Sequence, residues 1–123
     1  MGEPILIVDD NAANLKLAKV VLAQEGYDIQ AAGNAEEAMI LIQKNKPRLI
    51  LMDLQLPGMD GLTLTDLLKR DPRTRDIVIV ALTAYAMKGD EERIKAAGCD
   101  GYIPKPIDTL AFPSQVAEYL KKS

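Results

Sequence analysis

The chain has no histidine and a single cysteine among its 123 residues. Without histidine, no mechanism can use an imidazole that this chain itself supplies. The single thiol, Cys99, excludes an internal disulfide and is typical of proteins kept in a reducing compartment. We therefore expect a cytoplasmic protein.

Long hydrophobic runs are also missing. The apolar stretch from Ile5 to Val8 is too short for a signal peptide and is followed at once by two aspartates. No stretch approaches the roughly 20 apolar residues that a membrane helix needs. The net charge of −3 does not favour nucleic-acid binding. The length suits one domain over residues 1–123, with no membrane or nucleic-acid partner.

Short apolar segments alternate with helical patterns along the chain. The predicted strands cover residues 4–8, 28–32, 49–52, 77–82 and 101–104. Apolar spacings of three and four predict helices over 11–25, 35–45, 62–70 and 86–97, and a last one from 108 that becomes regular near Phe112. Continuously apolar strands are typical of a parallel sheet covered on both faces. The pattern predicts a doubly wound α/β fold.

The first predicted helix has apolar residues on two sides. The side expected to face the core carries Leu15, Ala18, Val21 and Leu22. The opposite side carries Ala13, Leu17 and Val20. Single apolar residues are common on protein surfaces, so this outer stripe is either ordinary surface or a docking site for a partner.

Four predicted strands end on polar residues. Asp9 and Asp10 follow the first strand, Asp53 the third, Thr83 the fourth and Lys105 the fifth. Because the carboxyl ends of parallel strands share one edge, where ligands bind in such sheets, we expect these residues to form one site. An unpaired buried charge is costly, so we expect Asp53 to be partly solvated.

These residue types predict a magnesium site for phosphoryl chemistry. Three carboxylates brought together repel one another and require a compensating cation. Their oxygen atoms favour Mg²⁺ over Zn²⁺. Lys105 adds a fixed positive charge and Thr83 a hydroxyl donor, which suits a transferring phosphoryl group. Asp53 is the predicted nucleophile because aspartate can form an acyl phosphate.

The segments LIVDDN, LILMDLQLPGMDG, IVALTA and GYIPKP resemble the receiver domains of two-component response regulators over essentially the whole chain. The stretch TAYAMKGDEERIKAAGCDGYIPKP is similar to stand-alone receivers of the cell-division type. The resemblance implies a flavodoxin-like parallel sheet of five strands in the order 2-1-3-4-5, with five helices. It also implies a phosphorelay, in which phosphohistidine on a histidine kinase or phosphotransferase is the donor and downstream proteins respond.

Because the sequence stops after the last predicted helix, we expect a single receiver domain with no output domain. Such a protein would catalyse only its own phosphorylation and dephosphorylation, and would not be an enzyme acting on other substrates. Its signal would pass through protein contacts or phosphoryl relay.

The resemblance makes Asp53 the phosphoacceptor. Mg²⁺ would be bound by Asp10, Asp53 and the backbone carbonyl of Gln55, while Asp9 would hold a metal-bound water. Lys105 would pair with Asp53 before phosphorylation and with the phosphoryl group afterwards.

The remaining implied roles concern the phosphoryl group and the switch. Thr83 and the backbone N–H of Ala84 would bind phosphoryl oxygens. Tyr102 would turn inward as Thr83 moves toward the phosphate, and Tyr85 would shield the phosphorus from water. The Lys105–Pro106 bond would be cis, an isomer that is accessible essentially only before proline.

Two other classes of protein share part of this pattern. A phosphatase of the haloacid-dehalogenase type also uses strand-end Asp, Thr and Lys with Mg²⁺. It needs a second Asp two residues after the nucleophile, where this chain has Gln55. A flavodoxin-like FMN binder shares the fold, but Asp9 and Asp10 would repel the phosphate that its first loop must hold. Turnover of a phosphoester or a flavin spectrum would favour one of these alternatives.

Overall fold

Strands and helices alternate along the computed structural model, which describes residues 2–56, 58–84 and 88–121, with 88–90 described by their backbone alone. The strands are β1 (Pro4–Val8), β2 (Asp28–Ala32), β3 (Leu49–Asp53), β4 (Val78–Thr83) and β5 (Gly101–Pro104). The helices are α1 (Ala12–Ala23), α2 (Ala35–Lys44), α3 (Gly61–Arg70), α4 (Lys88–Ala97) and α5 (Phe112–Leu120). None of the described helices combines the length and apolar character that crossing a membrane requires.

The five strands form one parallel sheet in the order β2-β1-β3-β4-β5, which confirms the predicted fold. The central strand, β3, is buried along its whole length. The strand register pairs Val8 with Met52, Asp53 with Leu82, and Thr83 with Pro104. The residues that end or follow β1, β3, β4 and β5 therefore lie along one edge of the sheet.

A hydrophobic core lies on each face of the sheet. On one face, helices α2, α3 and α4 contribute Ala35, Ala38, Ile42, Leu64, Leu68 and Ile94. On the other face, helices α1 and α5 contribute Ala18, Leu22, Phe112 and Val116. Successive residues of β3 enter the two cores alternately, which explains why this strand is apolar throughout.

Side-chain caps fix where the first three helices begin. The side chains of Asn11, Asn34 and Asp60 each accept a hydrogen bond from the backbone N–H three residues later. The first helix was predicted too long, because Asn11 is its cap and the helix ends at Ala23. The predicted start of the fourth helix, at residue 86, lies outside the described residues.

Gly61 allows α3 to begin very close to the end of β3. A Cβ atom added to this residue would lie 2.3 Å from the backbone oxygen of Asp53. Only glycine fits such an approach without moving backbone atoms. The first turn of α3 is thereby held beside the sheet edge at which Asp53 lies.

Candidate functional site

Three charged residues at the carboxyl ends of β1, β3 and β5 meet at one edge of the sheet. The Nζ atom of Lys105 lies 3.2 Å from Asp9 Oδ2 and 3.2 Å from Asp53 Oδ1. The backbone N–H of Lys105 donates to the Thr83 carbonyl at 2.7 Å, which anchors the lysine beside β4. Lys105 therefore pairs with both buried acids, whereas the resemblance implied only the contact with Asp53.

The three aspartates are close enough to share one cation. Carboxylate oxygens of Asp9, Asp10 and Asp53 all lie within 4.8 Å of one another, with Asp10 exposed and the other two buried. Asp9 Oδ1 accepts a hydrogen bond from the Asn11 N–H at 2.9 Å, and Asp53 Oδ1 accepts one from the Gln55 N–H at 3.1 Å. An oxygen-only cluster with one exposed member fits a hard cation that keeps bound waters, such as Mg²⁺.

Asp53 is only 5% exposed, so the expectation that it would be partly solvated is wrong. Burial raises the pKa of its carboxyl above the usual value of 3.8, and the negative charge of Asp9 raises it further. The Gln55 N–H and the Lys105 ammonium act in the opposite direction but do not reverse the shift. Burial of this carboxylate is possible because Lys105 and Gln55 replace part of its lost hydration.

A cavity of about 190 Å³ opens beside Asp53. Its wall includes Thr83 and Ala84 at the end of β4, Gln55 after β3, and Lys105 after β5. Thr83 is buried, and Ala84 is exposed. The structure thus brings the predicted nucleophile and the predicted phosphoryl-binding residues around one small space.

The cavity is also lined by residues that were not predicted from the sequence, among them Asp60, Leu62 and Arg93. These three lie at the start of α3 or on α4, whereas the residues predicted to surround the phosphoryl group lie at or just after strand ends. The sequence predicted only that Arg93 lies on the helix that follows β4. That position alone does not show which way its side chain points.

Tyr102 is held by a contact with α4. Its hydroxyl donates a hydrogen bond to the Glu91 carboxylate, which raises the pKa of the phenol. Its backbone carbonyl accepts a bond from the Tyr119 hydroxyl at 3.3 Å. Sequence reasoning named Tyr102 but not Glu91. Tyr85, named as a shield for the site, lies outside the described residues.

The Lys105–Pro106 peptide bond is cis, the isomer that the resemblance implies.

The outer stripe of α1 is exposed. Leu17 is 40% exposed and Val20 is 50% exposed, and Ala13 also lies at the surface. On the opposite side, Ala18 and Leu22 are buried in the core. Because Asn11 caps α1 and also bonds Asp9, the stripe begins next to the acidic cluster.

Comparison with known proteins identifies the family to which this chain belongs. Residues 5–117 match the family model of the response regulator receiver domain. The polar-differentiation response regulator DivK of Brucella anthropi is 44% identical, over 98% of each chain. A candidate response regulator from Chloroflexus aurantiacus has a crystal structure with a TM-score of 0.93 and 31% identity, covering 98% of this chain and 99% of that one.

A further solved structure bears on the acidic cluster. The receiver domain of a sensor histidine kinase from Pseudomonas aeruginosa is 29% identical, with a TM-score of 0.88 and coverage of 98% of this chain and 99% of that one. Its crystal structure holds a magnesium ion coordinated in the active-site cleft.

A five-stranded parallel sheet of this order with an acidic carboxyl edge is the architecture of the receiver class of signalling protein. This chain belongs to the response regulator receiver domain family, and it is similar over nearly its whole length to DivK. Nothing in these comparisons supports the alternative of a haloacid-dehalogenase phosphatase.

The raised pKa of Asp53 predicts how its charge affects stability. A carboxyl whose pKa is raised on folding stabilises the protein below its unfolded pKa, and this stabilisation is lost as the pH rises through the folded value. We therefore expect Asp53→Asn to increase the free energy of unfolding at pH 7 without divalent cations, while Lys105 keeps its contact with Asp9. The gain should shrink as the pH falls through the folded pKa of Asp53, which lies above the usual 3.8, because folded wild type then takes up a proton.

Denaturant unfolding at a series of pH values measures this effect, with Asp76→Asn as the matched control. The exposed Asp76 has a lowered pKa because it pairs with Lys46, so its substitution should give no gain at pH 7. An Asp53→Asn protein that is less stable than wild type at pH 7 would contradict the interpretation.

Proposed function

We propose that this protein accepts a phosphoryl group on Asp53 from a phosphohistidine of a histidine kinase or histidine phosphotransferase, with Mg²⁺ as cofactor. The observation that carries the proposal is the arrangement around Asp53. One of its oxygens lies 3.2 Å from the Lys105 ammonium, and the carboxylate faces a cavity lined by Thr83 and Ala84. A buried carboxylate with donors placed around it is suited to phosphoryl transfer.

In the proposed transfer, a carboxylate oxygen of Asp53 attacks the phosphorus while the bond to the donor's imidazole nitrogen breaks. The imidazole leaves with the electron pair of that bond. The imidazole must belong to another molecule, because this chain has no histidine. Lys105 and Thr83 would bind phosphoryl oxygens, and the Ala84 N–H would add a further donor.

Asp9, Asp10 and Asp53 would hold Mg²⁺, with the backbone carbonyl of Gln55 as a further ligand. The ion would neutralise negative charge on the phosphoryl oxygens. The spacing of the three carboxylates supports this assignment, as does the magnesium ion in the related Pseudomonas aeruginosa receiver.

The output would pass through Tyr102 to proteins that bind at its surface. In the present state, Glu91 on α4 accepts the Tyr102 hydrogen bond. Movement of Thr83 toward a phosphoryl group would open space for the Tyr102 ring and break that bond. The protein would thus catalyse only its own phosphorylation and dephosphorylation, and its downstream targets would be other proteins.

Phosphorylation of the purified protein tests the proposed function. Incubation with acetyl phosphate and Mg²⁺ should add one phosphoryl group, detected by intact mass spectrometry. Asp53→Asn should take up none, because it removes the carboxylate that both contacts Lys105 and lines the cavity with Thr83. Omission of Mg²⁺ should slow the reaction strongly.

Two results would contradict the proposed function. One is an Asp53→Asn protein that is modified as fast as wild type. The other is sustained hydrolysis of a generic phosphoester by wild type, which would revive the phosphatase alternative.

The outer stripe of α1 predicts where the protein donor docks. We expect Leu17→Glu to slow transfer from the donor protein by about tenfold or more, because it would bury an unpaired charge in the interface. Phosphorylation by acetyl phosphate should stay unchanged, since Leu17 lies outside the cavity. Parallel rate measurements with the phosphorylated protein and with acetyl phosphate check both expectations.

Ile40→Glu is the matched control for this substitution. Ile40 is 54% exposed, but it lies on α2, on the opposite face of the sheet. If the Leu17→Glu and Ile40→Glu variants accept the phosphoryl group from the donor protein equally fast, the donor docks elsewhere. A loss of both reactions in Leu17→Glu would show damage to the site or the fold.

A further inference from the structure

The outer side of α2 combines charges of opposite sign with an exposed apolar centre. This outer α2 face consists of five exposed residues: Glu36, Glu37, Ile40, Gln43 and Lys44. Ile40 lies at its centre and is 54% exposed. The two acids come three and four residues before Ile40, and Gln43 and Lys44 come three and four residues after it. Because residues at these spacings share one side of a helix, the face is acidic at one end and basic at the other.

The two opposite charges Glu37 and Lys44 cannot be paired within α2. Ion pairs along a helix form between residues three or four positions apart, and within α2 those positions hold Ile40 and Leu41 for both charges. Glu37 and Lys44 are themselves about 10.5 Å apart along the helix axis. Across the described part of the chain, neither side chain forms an ion pair. Both charges are therefore available to a second molecule.

The surface next to the outer α2 face is apolar. A cavity of about 460 Å³ between α2 and α3 is lined by residues that include Met39, Met59 and Leu67. Met59 and Leu67 are exposed, as is Ile40. A single exposed apolar side chain is common on any protein, whereas several that lie together are typical of an interaction surface. The helix dipole favours the acids and the lysine at their ends of α2, but it does not explain the exposed apolar centre.

We propose that the outer α2 face is the interface of a symmetric homodimer, in which the α2 helices of two copies pack antiparallel about a two-fold axis at Ile40. In this arrangement the two Ile40 side chains meet at the axis. Lys44 lies opposite Glu37 of the second copy, and the two-fold axis repeats this contact. Parallel packing of the two helices would instead place charges of the same sign together. The order of charges along the face therefore fits a second copy of this chain.

The proposed dimer leaves both phosphorylation sites open. Helix α2 begins after the carboxyl end of β2 and ends before the start of β3, so it runs antiparallel to the strands. Antiparallel α2 helices then place the carboxyl edges of the two sheets at opposite ends of the dimer. The residues that line the cavity beside Asp53 lie on other elements. The dimer thus goes beyond the proposed function and does not depend on it.

The contact is small, so the dimer should be weak. Two helices of ten residues each bury less than the roughly 1,600 Å² of a standard interface. We expect a dissociation constant of about 50–500 µM, which sedimentation velocity detects as a rising average mass between about 10 µM and about 1 mM. At the roughly 1 µM used in transfer assays the protein would be monomeric, so Ile40→Glu remains a suitable control for donor docking.

Exchange of the two charges tests the antiparallel arrangement. Lys44→Glu and Glu37→Lys should each weaken self-association by about tenfold or more, because positions 37 and 44 then carry like charges in both copies. An equimolar mixture of the two variants should associate at least as tightly as wild type, since the acidic pair of positions in one variant faces the basic pair in the other. Ile40→Glu should also weaken self-association, because it places two acids together at the axis.

Lys19→Glu is the matched control, because Lys19 is exposed on α1, behind the opposite face of the sheet. It should self-associate like wild type. Mixed with Glu37→Lys, it gives the same pair of net charges as the test mixture, but it should associate more weakly than that mixture because one pair of like charges remains. Thermal unfolding checks that each variant is folded. If Glu37→Lys does not fold, the self-association of Lys44→Glu against that of Lys19→Glu decides the test.

Three results would overturn the homodimer. One is wild type that stays monomeric up to about 1 mM, which would leave a different protein as the occupant of the outer α2 face. The second is self-association that Ile40→Glu and Lys44→Glu weaken no more than Lys19→Glu does, since the interface would then lie elsewhere. The third is a test mixture that associates no more tightly than the control mixture.

Discussion

The contact of one ammonium group with two buried carboxylates is the interaction on which this site depends. Lys105 Nζ lies 3.2 Å from an oxygen of Asp9 and 3.2 Å from an oxygen of Asp53. Without the lysine, two like charges would face each other on adjacent strands in a largely dry environment, at a cost of several kcal/mol. Lys105 follows β5 and must reach across β4 to make both contacts, so the strand order of the sheet is part of the site.

Lys105 compensates only part of the negative charge and burial at this edge of the sheet. Burial still raises the pKa of Asp53, and the exposed Asp10 adds a third carboxylate to the same cluster. The two apolar cores beneath the helices supply the stability that this edge lacks. An incoming cation or the conversion of Asp53 to an acyl phosphate changes the balance of charge at once, which suits a site that responds to phosphorylation.

The sequence predicted the sheet and most of the edge because both depend on strongly patterned segments. Continuous apolar runs marked the strands, and a single polar residue at each strand end marked Asp9, Asp53 and Thr83. The pattern could not show that Asp53 is buried, because its burial depends on how close the Lys105 ammonium lies to its carboxylate. It also missed Arg93 and Glu91, because helix periodicity does not reveal which exposed residue reaches a neighbouring element.

Repulsion among Asp9, Asp10 and Asp53, relieved by a shared Mg²⁺ ion, is the central claim of this account. Denaturant unfolding of wild type and Asp10→Asn, each with and without Mg²⁺, tests it most directly. At ten times its dissociation constant, Mg²⁺ should add about 1.4 kcal/mol to the free energy of unfolding of wild type. Asp10→Asn should show less than half of that gain. Equal gains in the two proteins, or none in wild type, would contradict the claim.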